Sequence, residues 1–186
     1  VDKSLIRVGE INGQPRFSML RTIQEFALEK LQALDELSVT QALHTTFYHD
    51  LAARLSAETR GPDPAQALEY LVRDYDNFRE ALHRSIEQQA IDVAMGLCRH
   101  LYAVWLNRGL QFEGRGWIDL ALTLPGSVDP SLKAAVLYVA SALALQQGQN
   151  ESAHAYLLES IDLSRESENI EGLANALVYL GMVELS

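Results

Sequence analysis

Apolar positions along the chain change their period once, near residue 18. Before that point lie two short runs, residues 3–8 (KSLIRV) and 16–20 (RFSML), rich in β-branched and aromatic side chains. Between them sits Asn12-Gly13, a dipeptide that tolerates the positive φ angles of a tight hairpin turn. From Ser18 onward Leu20, Ile23, Phe26, Ala27, Leu31 and Leu34 recur at helical spacing, which predicts a helix over 19–34 with those side chains inward. The rest of the chain keeps the helical period. Residues 39–58 place Ala42, Leu43, Phe47, Leu51 and Leu55 on one stripe. Asp63 and Pro64 form a cap and a first-turn proline, and Gln66 can complete a capping box. The helix they start is expected to reach Gln88, with Leu68, Leu71, Val72, Tyr75, Phe78, Ala81 and Leu82 inward. Further helices are predicted over 90–108, 111–124, 131–147, 150–166 and 170–185, with Asp129-Pro130 repeating the cap-and-proline device. The connections are short, so consecutive helices should fold back on one another.

The later helices repeat. Residues 106–124 align with 145–163 at an offset of 39 without a gap. Gly109 falls on Gly148, Gly114 on Ala153, Trp117 on Tyr156, Ile118 on Leu157 and Ala121 on Ser160. A third copy starts near Leu173, where Leu177, Leu180 and Gly181 echo Leu137, Ala140 and Ser141 at an offset of 40. A helix pair of this size cannot hide its apolar face alone and stacks on its neighbours. The glycine at the end of each first helix reaches positive φ without a steric cost. The small residue five positions later, Gly114 or Ala153, lets the second helix approach the first closely.

Composition narrows the function classes. Hydrophobic residues make up 48% of the 186, enough for a buried core and against disorder. The net charge of −10 is uneven: residues 1–60 are at −1 and residues 61–186 at −9. A phosphate backbone would be repelled by that second part, so general nucleic-acid binding is not expected. The single cysteine, Cys98, excludes an intrachain disulfide and suits a reducing, cytoplasmic setting. No apolar run reaches the ~18 residues of a membrane span. The chain begins at Val1 and stops at Ser186 inside an apolar-periodic stretch, as a fragment of something longer would.

Candidate chemistry is thin, and neither an enzymatic activity nor a cofactor is expected. There is no GxxxxGK[ST] loop for a triphosphate, and GLQFEGRG at 109–116 lacks the lysine. His44 and His49 are five apart and diverge on a helix, as do Cys98 and His100 at spacing two, so no metal site is expected. Asp74/Asp76 and Glu166/Glu168 diverge likewise and read as solvated faces. Arg7, Arg16 and Arg21 surround the hairpin and could touch phosphate only if a recognition helix stood beside them. The aromatic residues Tyr102, Trp105, Trp117 and Tyr156 fit repeat core better than a ligand cage.

These residues resemble the tetratricopeptide (TPR) family: Ser141 and Gly181 before the turn, Gly109 and Gly148 in it, Gly114 and Ala153 after it, and Ile118 or Leu157 four further on. The chain departs from that family in its longer period, in Ala144 where the first copy has Trp105, and in Tyr102 at a small position. A second resemblance covers residues 1–8 and 13–31 (GQPRFSMLRTIQEFALEKL), with 60–82 (RGPDPAQALEYLVRDYDNFREAL) following in order. Both stretches look like the end of the winged-helix module, and the helices after it, in STAND-type signal-transduction NTPases such as LuxR- or SARP-like regulators.

The expectation is therefore an all-α array of antiparallel helix pairs in a right-handed superhelix, preceded by a β-hairpin and helix. Residues 1–38 would be the winged-helix remnant, 39–89 a helical connector pair, and 90–186 the repeats (90–124, 131–166 and a partial 170–186). The first helix of each pair would line a groove showing Arg99, Ala103 and Asn107, then Tyr138, Ala142 and Gln146, then Asn175, Val178 and Met182. A protein, peptide or small-molecule effector is the expected occupant, with the NTPase domain of the same chain as a neighbour and a homodimer through the open last repeat as the alternative. Some of those positions would instead stack against further repeats.

Overall fold

The computed structural model describes residues 5–11 and 14–185. The fold is all-α, 77% helical, with a two-stranded antiparallel sheet at its start. Strands β1 (Ile6–Ile11) and β2 (Gln14–Met19) pair in the register Ile6 to Met19 and Val8 to Phe17. The Asn12-Gly13 turn lies outside the described residues. Helices follow as α1 (Arg21–Ala33), α2 (Leu37–Glu58), α3 (Pro64–Arg73), α4 (Tyr75–Glu87), α5 (Ile91–His100), α6 (Tyr102–Asn107), α7 (Gln111–Leu122), α8 (Pro130–Gln146), α9 (Asn150–Glu166) and α10 (Ile170–Glu184). The chain divides into two compact units, Val1–Leu43 and His44–Ser186.

In the first unit the amphipathic stripe of α1 forms but is not buried. Ile23, Ala27 and Leu31 are half-buried, while Leu20, Phe26 and Leu34 stay exposed, as do Val8 and Phe17 of the strands. A hairpin and one helix are too little to enclose a core.

In the second unit the predicted caps and most of the predicted core are present. Asp63 Oδ1 accepts from Gln66 N at 3.2 Å, and Asp129 Oδ1 accepts from Leu132 N at 3.0 Å. Leu71, Phe78, Ala81 and Leu82 are fully buried. Three expectations need correction. The helix expected over 64–88 breaks at Asp74 (φ −98°, ψ 14°) into α3 and α4, so that both segments can reach one core. The helix expected over 90–108 breaks at Leu101, where Val104 N donates to Leu101 O at 3.0 Å in a tighter turn. On α2 the buried face is Thr45, Ala52 and Leu55, whereas Leu43 and Phe47 are exposed.

One turn recurs through the helices. Asp35, Gln89, Gly109, Gly148 and Glu168 all take φ between 53° and 70°. Each is followed by a residue whose N–H reaches back five positions: Glu36 to Leu31 O, Ala90 to Ser85 O, Leu110 to Trp105 O, Gln149 to Ala144 O and Asn169 to Ser164 O, at 2.8–3.0 Å. This is the Schellman closure, which satisfies carbonyls that a helix end leaves orphaned. The next helix begins one or two residues later, and after Gln89, Gly109, Gly148 and Glu168 it packs back on the helix before it.

Packing then follows a fixed order. α5 packs on α7 and α8, and α7 on α8; α8 packs on α9 and α10, and α9 on α10. Each first helix thus meets its own second helix and the next first helix, as stacking pairs require. The close approach within a pair is visible at Gly114, where an added Cβ would sit 2.5 Å from the fully buried Trp105 ring. Gly114→Ala should therefore lower stability by about 2 kcal/mol through overpacking. Gly148→Ala meets nothing within 4 Å, and its φ of 69° alone should cost about 1 kcal/mol. Urea denaturation of both variants checks the order of the two effects.

Candidate functional site

The predicted groove residues separate into three environments. Arg99, Asn107, Gln146 and Asn175 are exposed on the first helices α5, α6, α8 and α10. The Asn107 amide is already used, donating through Nδ2 to Ala103 O at 2.7 Å, and Ala103 itself is half-buried. Tyr138 lies where α8 meets α10, its ring edge-on to Tyr179 with centroids 4.9 Å apart, and Ala142 of α8 is buried. Val178 and Met182 are exposed on α10 at the same positions, one repeat later. Position 138 is thus a stacking position, position 142 is closed to solvent, and the solvent-facing polar set is Arg99, Asn107, Gln146 and Asn175.

The stacking seam carries a tyrosine cluster that sequence reasoning did not single out as one. Tyr102 of α6 and Tyr138 of α8 both interact with Tyr179 of α10. Burial, followed by the hydrogen bond to Tyr179, pushes the Tyr102 and Tyr138 phenols above their ordinary range. They remain neutral at physiological pH and serve as hydrogen-bonding groups. The signal was weak in the sequence because Tyr102 and Tyr179 sit at unlike positions of their repeats, 36 and 41 residues from Tyr138.

The second helices are tied across pairs by charge. Arg79 Nε meets Glu113 Oε1 at 2.7 Å, and Trp117 Nε1 donates to the same oxygen at 3.3 Å. Arg115 donates to Gln149 Oε1 at 3.3 Å and to the Tyr156 hydroxyl at 3.2 Å, and that hydroxyl donates to Asp119 Oδ1 at 3.3 Å. Trp105 is core, its Nε1 donating to the Tyr75 hydroxyl at 2.7 Å, while Trp117 and Tyr156 are half-buried. Acid is concentrated on these second helices. α7 and α9 carry Glu113, Asp119, Glu151, Glu159, Asp162 and Glu166, against Asp92 alone on α5, α6 and α8.

The catalytic candidates do not assemble. Cys98 is buried, and burial pushes its thiol far above the usual range, so it holds its proton. Among the described residues no three His, Cys, Asp or Glu side chains come together as a metal site. No described helix is long and apolar enough to cross a membrane. His49 and His100 do meet, with ring centroids 6.2 Å apart. His49 lies flush on α5, its Nε2 only 2.6 Å from a Cβ built on Gly96.

The chain is similar to transcription regulators. A stretch of 122 residues, 66% of the chain, is 33% identical to proteins provisionally named HTH-type transcriptional regulators in Mycobacterium bovis and in two strains of Mycobacterium tuberculosis. The matched stretch spans 14% of the length of each relative. No family model matches the chain, and no solved structure matches it.

Burial holds the folded His100 near pKa 4, with Arg99, His49 and Arg60 adding to the depression, against 6.5 ordinarily. Between those values the unfolded chain binds the extra proton, so stability should fall as pH drops from 6.5 towards 4. His100→Gln should flatten this acid limb by about 2 kcal/mol, a figure discounted for partial exposure. Urea midpoints at neutral and acid pH provide the check.

Proposed function

We propose that the chain is a non-catalytic binding segment of a multidomain transcription regulator, with TPR-like pairs that receive a protein, peptide or small-molecule effector. The observation carrying this reading is the repeated stacking of α5–α7 and α8–α9 behind exposed Arg99, Gln146 and Asn175. The names of the mycobacterial relatives supply the regulatory context. The first unit, hairpin and helix α1, is the end of a winged-helix module, and the parent protein carries a STAND-type nucleotide-binding domain.

The mechanism is a population shift. An effector on the first-helix face favours one orientation of the array towards its neighbour, limited by its difference in affinity for the two states. Exposed arginine and amide groups recognise carboxylate or amide oxygens, and the flanking Leu106 and Leu145 give apolar contact.

A thermal-shift screen of the chain with metabolites and short peptides tests the reading. A true effector at about 100 times its Kd adds about 2.7 kcal/mol. Arg99→Ala/Asn175→Ala should remove that gain and leave the unliganded melting temperature within a degree or so of the parent, since both side chains are exposed. Hits that survive the double substitution would move the site elsewhere.

A further inference from the structure

Cationic groups converge where α2 touches α5. The His49 ring of α2 lies against Gly96 of α5 and stands edge-on to His100 one turn later, with centroids 6.2 Å apart. Gly96 is buried in the middle of its helix. A glycine there costs about 1 kcal/mol against alanine, and the room it leaves is filled by an imidazole rather than an apolar side chain. Arg99 of α5, and Arg60 just beyond the end of α2, face the same His100 ring. Both arginines are exposed, and neither makes an ion pair among the described residues.

A chain of net charge −10 has carboxylates in excess, and other arginines find them: Arg79 meets Glu113 at 2.7 Å, Arg84 meets Glu80 at 2.8 Å and Arg165 meets Asp162 at 3.4 Å. Around the histidine pair the one carboxylate in contact, among the described residues, is Asp50, 3.3 Å from His49 Nδ1 and itself 73% exposed. Stability gives no reason for the arrangement, since protonating His100 beside these neighbours weakens the fold. A metal ion fits poorly, because two imidazoles are too few ligands and two arginines repel it. A planar monocarboxylate would satisfy one guanidinium fork. A tetrahedral dianion carries enough oxygens for both forks and for the imidazoles behind them.

The geometry points to an anion site at the α2–α5 seam, where Arg60 and Arg99 hold the phosphate group of a small phosphorylated molecule against His100 and His49. The site shares Arg99 with the first-helix effector face but uses neither Gln146 nor Asn175. An anion here favours the charged imidazole, so binding raises the depressed His100 pKa and takes up a proton. Affinity therefore rises as the pH falls towards the value that His100 has in the complex.

Titration calorimetry of the whole chain with sodium sulfate, at an ionic strength held constant with sodium chloride, supplies the test. Sulfate stays a dianion throughout, so any pH effect belongs to the protein. Its affinity should rise about threefold or more from about pH 7.5 to about pH 5.5, and inorganic phosphate should compete with it. Arg60→Ala and Arg99→Ala should each weaken binding about tenfold while leaving the urea midpoint unchanged, because both side chains are exposed. His100→Gln should remove the pH dependence yet keep the neutral-pH affinity within about twofold, since the amide still donates a hydrogen bond. Asn175→Ala should leave sulfate binding unchanged, so a failure here and a failure of the effector reading give different results. Absence of binding, binding indifferent to both arginines, or an affinity that does not change with pH would overturn the proposal. So would zinc chloride binding that His49→Ala abolishes and Arg99→Ala strengthens, which would assign the histidine pair to a metal.

Discussion

The helical unit depends on its ability to reverse the chain within two or three residues. A left-handed residue after α4, α6, α8 and α9, closed by an N–H that reaches back five positions, does this at Gln89, Gly109, Gly148 and Glu168. Left-handed backbone costs a non-glycine residue on the order of 1 kcal/mol. The closure offsets it by satisfying carbonyls that would otherwise face the next helix unbonded. A longer connection would let the second helix slide or tilt, and the buried contacts of the pair would lose their register.

That register is then reinforced by side chains. Ser160 Oγ donates to Ala134 O at 2.8 Å, tying α9 to the first turn of α8. Asn169 caps α10 through Oδ1 while its Nδ2 donates to Ser131 at 3.0 Å, joining one pair to the start of the previous first helix. Ala153, Leu157 and Ile161 fill the seam between α8 and α10. The segregation of charge follows from this layering. The enclosed first helices α5, α6 and α8 carry Asp92 alone, whereas the second helices α7 and α9 keep one side in water and carry six acids.

Much of this was legible in the sequence, for a physical reason. The repeat shows wherever the backbone demands glycine or a small side chain, as at Gly109, Gly148, Gly114 and Ala153, because few residues meet those demands. The left-handed positions at Gln89 and Glu168 were silent, since hydrogen bonds compensate for their strain and no glycine marks them. The breaks at Asp74 and Leu101 were also silent: the apolar period runs through them, and only the need to wrap two segments around one core interrupts the helix. On α2 the predicted stripe held only in its second half, where Leu51 is half-buried and Leu55 buried; Leu43 and Phe47 are exposed, and tertiary contacts bury Thr45 and Ala52 beside it. The binding face was legible only in outline. Periodicity located the first helices but could not separate Tyr138, which stacks on α10, and the buried Ala142 from Arg99 and Asn175, which meet solvent.

The contact between Trp105 and Gly114 has an optical consequence. The chain has two tryptophans; one is sealed between the backbone of α7 and the Tyr75 hydroxyl, and the other, Trp117, is half in water. Emission from the sealed ring is blue and shielded from aqueous quenchers for as long as the two helices stay clasped. Any loosening of this pair would then register as a red shift, with no label attached.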